Sequence, residues 1–440
     1  MEVHAPYHIS HVYLDKQLLT LPKLKTEQQG NYLVFWWDQI ALGHVFLEPD
    51  QELPLTEYLQ KLAKAIEPAV NQYANSSNYM VDWQQWIVNQ KPEDWAVWMQ
   101  AILQAHHSQT IPNRVDISVV ICTRNRASHL QRCLVMLQEL KCVPVEIIVI
   151  DNAPSDDSSH RVVELFKEVL YVKEPRPGLD IARNTGIMKA TSPIVAFVDD
   201  DVEVHPLWVH QVWKTFQNPN IAAMTGLVIA SELNTEAQQI FEQHWSFNRG
   251  YEDKVYDSNF FSSNLHHGPP VWEIGAGANM AFRKSVFEKV GYFDELLDVG
   301  AAGCNGDSEM WYRILADGLT IYYNPRAVVY HEHRKELSGL KKQIFFYMRG
   351  FIAAALLQQK LNPQADYKRL LLQVYPKFYF LLVARGFPRF RGRSRTIWAE
   401  MKGIISGLAF YLRNGKHSSI PRNQTASAKR KLTTAEVVTN

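Results

Sequence analysis

Asp199, Asp200 and Asp201 stand in a row directly after the apolar run Ile194–Val198. Three neighbouring carboxylates repel one another, and ionising them all is costly unless a cation sits among them. A small set of hard oxygen donors at the end of a strand suits Mg²⁺ or Mn²⁺, which keep waters and bridge to phosphate oxygens. The competing reading is a solvated acidic turn. Two other runs end in groups of the same kind. Thr123-Arg124-Asn125-Arg126 follows the β-branched stretch Asp116–Cys122, and Asp151-Asn152 closes Val145–Ile150. A carboxylate at 151 can accept a hydrogen bond from a ring N–H of a base, or it can close an Asx-turn.

The elements around these groups alternate. The short apolar runs at 116–122, 145–151, 169–173 and 194–198 read as strands. Between them, Leu130, Cys133, Leu134 and Leu137 fall on one helical face, as do Val162, Leu165, Phe166 and Val169, and a further helix is expected near 179–190. Strand and helix alternating at this spacing predict an α/β sheet covered on both faces, with parallel strands here. In such open sheets ligands bind beyond the carboxyl ends of the strands, where all three polar groups lie. The first strand-to-helix turn contains no glycine, which excludes the dinucleotide fingerprint and the P-loop, since both need close backbone approach to phosphate. A sugar-1-phosphate nucleotidyltransferase is disfavoured on the same ground.

Around this core the chain divides into zones. Residues 1–113 predict a small α+β unit, with Tyr32–Trp37 and Ile40–Leu47 as a hairpin about Asp38-Gln39, Thr56 as a helix cap, and Ile111-Pro112-Asn113 as a linker. The stretch 231–270 predicts loops, and Gly275–Phe282 and Ala327–His333 predict later strands. Residues 338–416 carry helical periodicity, and 417–440 form a polar tail expected to be disordered. A chain of 440 residues with 46% apolar composition has room for a large core and a smaller satellite. Lys and Arg number 46 against 45 Asp and Glu, so no global field recruits nucleic acid.

Six segments in order resemble the family 2 glycosyltransferases of GT-A fold: Ile117–Arg126, Ile148–Asn152, Gly178–Gly186, Phe197–Asp201, Gly275–Arg283 and Gly306–Arg313. They span roughly 116–335, about half of the chain. The resemblance implies a mixed Rossmann-like sheet flanked by helices in residues 114–335. It implies a nucleotide-sugar donor bound by Thr123, Arg124, Asp151, Arg183, Asp199 and Asp200, with Asp201 holding Mg²⁺ or Mn²⁺ in an Asp-x-Asp motif. It also implies Asp307 as the base that deprotonates an acceptor hydroxyl. GT-A enzymes often carry a late metal-binding histidine, and the Tyr330–Arg334 run looks like its place, so His331 and His333 are candidates. The family usually shows Glu-Asp where this chain has Gly306-Asp307, and that departure makes Glu309 a rival base. It also keeps open an inactive GT-A module used for binding or scaffolding. One base and one metal site suffice for a single displacement with inversion. Trp272 and Glu273 either shape the acceptor side or only pack, and His266-His267 lacks ligand spacing.

The four cysteines, Cys122, Cys133, Cys142 and Cys304, form no C-x-x-C pair, and residues 1–6 carry no secretory signal pattern. Both point to a reducing, cytoplasmic setting. Between Pro376 and Lys416 the single acid is Glu400 against nine Lys and Arg, interleaved with aromatics. Basic residues beside aromatics suit an anionic membrane surface, so peripheral contact with the inner face is expected, alongside a glycan or lipid-linked acceptor. The alternative is a basic helical pair packed on the catalytic domain. No recognised nucleic-acid module accompanies the patch, and no nucleic-acid partner is expected.

Overall fold

A computed structural model describes residues 5–17, 19–25, 28–51, 53–106, 110–298 and 301–414. The predicted disordered tail at 417–440 lies outside the described residues.

Two sheets form. The small one contains β1 (Tyr7–Tyr13), β2 (Gly30–Trp37) and β3 (Ile40–Leu47). β2 and β3 make the expected antiparallel hairpin, and β1 adds in parallel to β2. The helix Leu55–Ser76 backs this sheet. It starts after Pro54, so Thr56 lies within its first turn and does not cap it. Trp83, Trp95 and Trp98 pack together, with ring centroids 5.3 to 6.1 Å apart. This unit has no separate core. Tyr32, Phe35 and Trp36 belong to one buried cluster with Leu227, Ile229 and Val328 of the large sheet.

The large sheet is built from β4 (Arg114–Thr123), β5 (Val143–Asn152), β6 (Val169–Glu174), β7 (Ile194–Asp199), β8 (Val202–Val204), β9 (Ile221–Ala230), β10 (Lys254–Tyr256), β11 (Asn279–Arg283) and β12 (Thr320–His331). Its order is β10-β12-β9-β11-β7-β4-β5-β6, with β8 paired to β12. β7, β4, β5 and β6 are parallel, as the alternation predicts. β11 runs antiparallel between β7 and β9, which makes the sheet mixed. The cause is the connection: the chain reaches β11 through a long excursion from 231 to 278, not through a helical crossover.

That excursion is not the loop the sequence predicts. It holds the helix Glu236–His244, opened by a capping box between Thr235 and Gln238, then β10 and the helix Ser258–Ser263. These pieces are too short for their periodicity to show. Two other expectations shift for the same reason. The helix after β5 covers only Ser158–Val163, leaving Leu165 exposed and Val169 at the start of β6. Gly275–Ala278 is a loop, and β11 starts at Asn279.

The C-terminal region is helical, as its periodicity predicts. The helix Leu337–Leu361 packs along Ile397–Asn414, where Gly403 and Gly407 let the two backbones approach. Between them Tyr375–Gly386 leaves Phe378, Phe380 and Leu381 exposed. No described helix is long and apolar enough to cross a membrane.

Candidate active site

The parallel register brings the predicted groups together. Thr123 pairs in register with Asp151, and Cys122 with Asp199, so the ends of β4, β5 and β7 meet at one edge. Arg126, in the turn after β4, crosses to the acidic row. Its Nη1 donates to Asp200 at 2.5 Å and its Nη2 to Asp201 at 2.8 Å. Thr123 Oγ1 donates to the other oxygen of Asp200 at 2.7 Å. Arg124, the residue the sequence nominated, is exposed. Two arginines of one turn cannot be told apart by type, and only the turn's conformation, with Asn125 at φ 55°, decides which of them swings inward.

The three aspartates therefore differ. Asp200 is buried and held by Thr123 and Arg126. Burial pushes its carboxyl up to about 7, against Arg126 alongside. Asp199, expected on the donor, and Asp201 instead group with His331: one ligand atom from each lies within 4.8 Å of the others. His331 Nε2 is 3.5 Å from Asp201 Oδ1. Burial opposes charge on Asp201, but the hydrogen-bonded Arg126 helps hold the carboxyl below its ordinary range, while burial pushes His331 down to about 4 and leaves its imidazole neutral. His333 does not join the group. Its Nε2 meets Glu242 at 2.9 Å, and its Nδ1 faces His331 Nδ1 at 3.2 Å. Burial works against the Glu242 charge, yet the hydrogen bond from His333 and the nearby histidines keep that carboxyl low.

At the end of β5, Asp151 is fully buried. Tyr171 donates to its Oδ2 at 2.8 Å, while no group makes a full hydrogen bond to its buried Oδ1, although the Ser159 hydroxyl lies near enough to favour the charged carboxyl. An unpaired buried carboxylate oxygen costs about 1–3 kcal/mol, more when charged, so it marks a place where a ligand donor fits. The rings of Tyr171 and His160, 4.3 Å apart, lie beside it.

The fourth corner is the start of the helix Gly306–Ala316. Asp307 accepts from Gly277 N at 2.8 Å through Oδ2 and from Ser308 N at 2.7 Å through Oδ1. It remains half-exposed. Glu309 is buried, and both its oxygens take Arg313 Nε–H at 2.8 and 2.9 Å. Arg313 also clamps the carbonyls of Val290 and Tyr292, so this pair pins the helix to the neighbouring loop.

Gly306 has a direct structural cause. A Cβ there would lie 2.0 Å from Asp180 Oδ2. Asp180, on the helix Leu179–Lys189, is fully engaged with this corner: its Oδ1 accepts from Arg183 Nη1 at 3.0 Å. An acid is thus present beside Asp307, delivered from another helix. Arg183 is buried amid Asp180, Asp199 and Asp307, and those charges raise its pKa against the cost of burial. Asp180, Asp199, Asp200, Asp201 and Asp307 share only Arg126 and Arg183 in this corner, and burial raises Asp180 to about 7, Asp199 to about 6 and Asp200 to about 7, so full ionisation of the site calls for a further cation. Cys122, Cys133 and Cys304 lie close by, and burial pushes all three thiols up, which removes them as nucleophiles.

Residues 118–291 match glycosyl transferase family 2. They form a family 2 glycosyltransferase domain. The fold around them, a mixed sheet between helices, is the GT-A arrangement. The glycosyltransferase domain is similar to the pre-mycofactocin glycosyltransferase of Mycobacterium tuberculosis, 27% identical over 237 residues that cover 54% of this chain and 47% of that protein. It is also similar to glycosyltransferase GlyA of Streptococcus pneumoniae, 24% identical, covering 50% of this chain and 31% of that one. A third relative is the glucosyl-dolichyl phosphate glucuronosyltransferase of Haloferax volcanii, 22% identical, covering 57% and 80%. The chain spans about half the length of the first of these relatives, and less of the second.

Proposed function

We propose that this chain is an inverting, divalent-metal-dependent glycosyltransferase. It moves a sugar from a nucleoside diphosphate sugar to a hydroxyl of a glycan or lipid-linked acceptor. The observation that carries this reading is the convergence of Asp199, Asp201 and His331 beside the end of β7, at the same sheet edge as the partly unpaired Asp151 at the end of β5. Two carboxylates and one imidazole form a donor set that Mn²⁺ or Mg²⁺ accepts, and the excess of acids over arginines leaves that charge to be balanced. Asp199, Asp201 and His331 would hold the cation, which when bound neutralises the charge that builds on a departing diphosphate.

The remaining chemistry belongs to the chain. Asp151 Oδ1 accepts from a base N–H, beside the ring pair of Tyr171 and His160. Arg183 orders the far side by fixing Asp180 next to Asp307. Asp307 is the general base: the two backbone N–H groups that hold its oxygens orient the carboxylate and leave it a lone pair for the acceptor proton. The Glu309 oxygens are occupied by Arg313, so Glu309 acts on the helix position and not on the acceptor. With Asp307 as the one base, Asp180 and Asp200 held by arginines, and Asp199 and Asp201 assigned to the cation, the reaction is a single displacement that inverts the anomeric centre.

A thermal-shift panel of UDP, GDP, dTDP and CMP with and without Mn²⁺ tests the donor half. A metal-dependent rise for one nucleotide, lost in Asp201→Asn, is expected. No shift with any nucleotide overturns the donor pocket and favours a binding module without catalysis.

Residues 376–414 carry the acceptor-side proposal. Phe380, Phe387 and Trp398 are 72%, 71% and 58% exposed, amid exposed Lys377, Arg385, Arg389 and Lys402. Glu400, the one acid of the segment, is buried under Arg393, Thr396 and Tyr379, so it does not dilute the basic surface. This face is suited to an anionic leaflet, at about 1 kcal/mol per basic residue. Co-sedimentation with phosphatidylserine vesicles, lost with neutral vesicles and in Phe387→Ser/Trp398→Ser, is the expected result. Equal binding to neutral vesicles counts against it. A dolichyl phosphate in the name of one relative agrees with a lipid-linked acceptor.

A further inference from the structure

A neutral imidazole carries one N–H and one lone pair, and a cation can take only the lone pair. Which nitrogen of His331 is bare is therefore decisive, and it is set outside the site. Glu242, on the helix Glu236–His244, is buried and accepts from His333 Nε2 at 2.9 Å. A carboxylate can only accept, so a neutral His333 carries its proton on Nε2 and a lone pair on Nδ1. That Nδ1 faces His331 Nδ1 at 3.2 Å, so His331 must donate from Nδ1. Its Nε2 is then bare, and Nε2 is the atom that faces Asp201 at 3.5 Å, too long for a good hydrogen bond. The opposite order would aim an N–H into the cation position.

We infer that Glu242 and His333 are positioning residues that fix the tautomer of His331 and thereby its capacity to bind the divalent cation. The inference rests on the metal reading above. Its outer end explains what the small sheet contributes. Tyr32 of β2 reaches Glu242 Oε1 at 3.4 Å, and His44 of β3 lines the same polar cavity of about 270 Å³ with Glu242, Asn248 and Tyr251. The small unit packs against Glu242, whose side chain is buried, and Gln238 Nε2 holds the His333 carbonyl at 3.4 Å. Partners of a metal-bound imidazole commonly account for about 10–100-fold in metal affinity.

The test is Mn²⁺ affinity of the full chain, read from the electron paramagnetic resonance signal of free Mn²⁺, with the metal-free melting temperature as a folding control. Glu242→Gln keeps the side-chain size but allows the amide to donate, which frees the wrong tautomer. It is expected to weaken Mn²⁺ binding about tenfold or more, with the melting temperature near wild type. His333→Phe keeps a ring and removes the relay, and it should lose as much. His333→Gln, whose amide can both donate to Glu242 and accept from His331, should recover much of the affinity. A purely structural role predicts no difference between the Phe and Gln variants. If Glu242→Gln and His333→Phe bind Mn²⁺ as wild type does while Asp201→Asn fails to bind, the positioning role is wrong and the metal site stands. If Asp201→Asn also binds as wild type does, the metal reading itself falls.

Discussion

The row of acids at the end of β7 and the pair of acids at the start of the helix Gly306–Ala316 solve the same problem in opposite ways. In the helix, Glu309 is matched to Arg313, and two backbone N–H groups hold Asp307 at a half-exposed helix end. In the row, Arg126 serves Asp200 and Asp201 together, and Asp199 and Asp201 turn toward His331 with charge to spare. Carboxylates with enough donors are scaffolding, or are aimed by them, whereas carboxylates short of partners mark where a ligand must supply the difference. Within a few residues, the number of donors decides between the two outcomes.

The largest effect should separate the two acids of the helix. Asp307→Asn keeps one of the two acceptor contacts, to Gly277 or to Ser308, and loses the proposed base. Turnover should fall about 10²–10⁴-fold, far more than the small drop in melting temperature from the lost contact, measured as release of nucleoside diphosphate with acceptor present. Glu309→Gln should do the reverse, with stability lowered by about 3 kcal/mol through the loss of its buried pair and turnover within a few-fold of wild type. A large loss of turnover in well-folded Glu309→Gln would restore it as a base.

Gly306→Glu tests the crowded corner between the regions. A Cβ placed against Asp180 should destabilise the protein by about 1–3 kcal/mol, and adding Asp180→Gly should recover it. Failure of the double variant to regain stability in a thermal melt would mean that Asp180 is not the obstacle.

On the nucleotide side, Asp151→Asn removes one acceptor site for a base N–H. Nucleotide affinity, measured by calorimetry, should drop about tenfold, the effect of one hydrogen bond to a charged group. An unchanged affinity would leave the unpaired Oδ1 without a ligand.

The smallest effect is on pH dependence. Burial raises the Asp180 carboxyl to about 7, with Arg183 opposing and Asp298 adding to the rise. An acid whose folded pKa lies above its unfolded value contributes stability that is full below about 4 and is lost as pH rises through about 7. Wild type should thus lose melting temperature between pH 4 and 7 that Asp180→Asn does not lose. Parallel curves for the two proteins would show that Asp180 does not titrate in this window.

The meeting of these strand ends was legible in the sequence. β-branched runs of strand length, each ending in Thr123, Asp151 or Asp199, dictate parallel strands whose ends share an edge, because side chains beyond a strand end have nowhere else to go. The choice of Arg126 over Arg124 was not legible, since it depends on the φ of a single turn residue. Nor was Gly306, which looks like a missing acid until Asp180 from another helix is seen filling its space.

The sequence alone therefore determined the local rules: which runs form strands and helices, which carry acids at their ends, and the absence of a glycine loop for phosphate. Tertiary structure decided the partners. Glu242 lies in a stretch that reads as loop, His333 lies 91 positions away from it, and Tyr32, on the small sheet, lies 210 positions from Glu242. Periodicity and spacing carry information over one or two turns of chain. A hydrogen-bond relay between buried groups is a property of packing, and it comes into being only when the small sheet and the helix Glu236–His244 close over the end of β12.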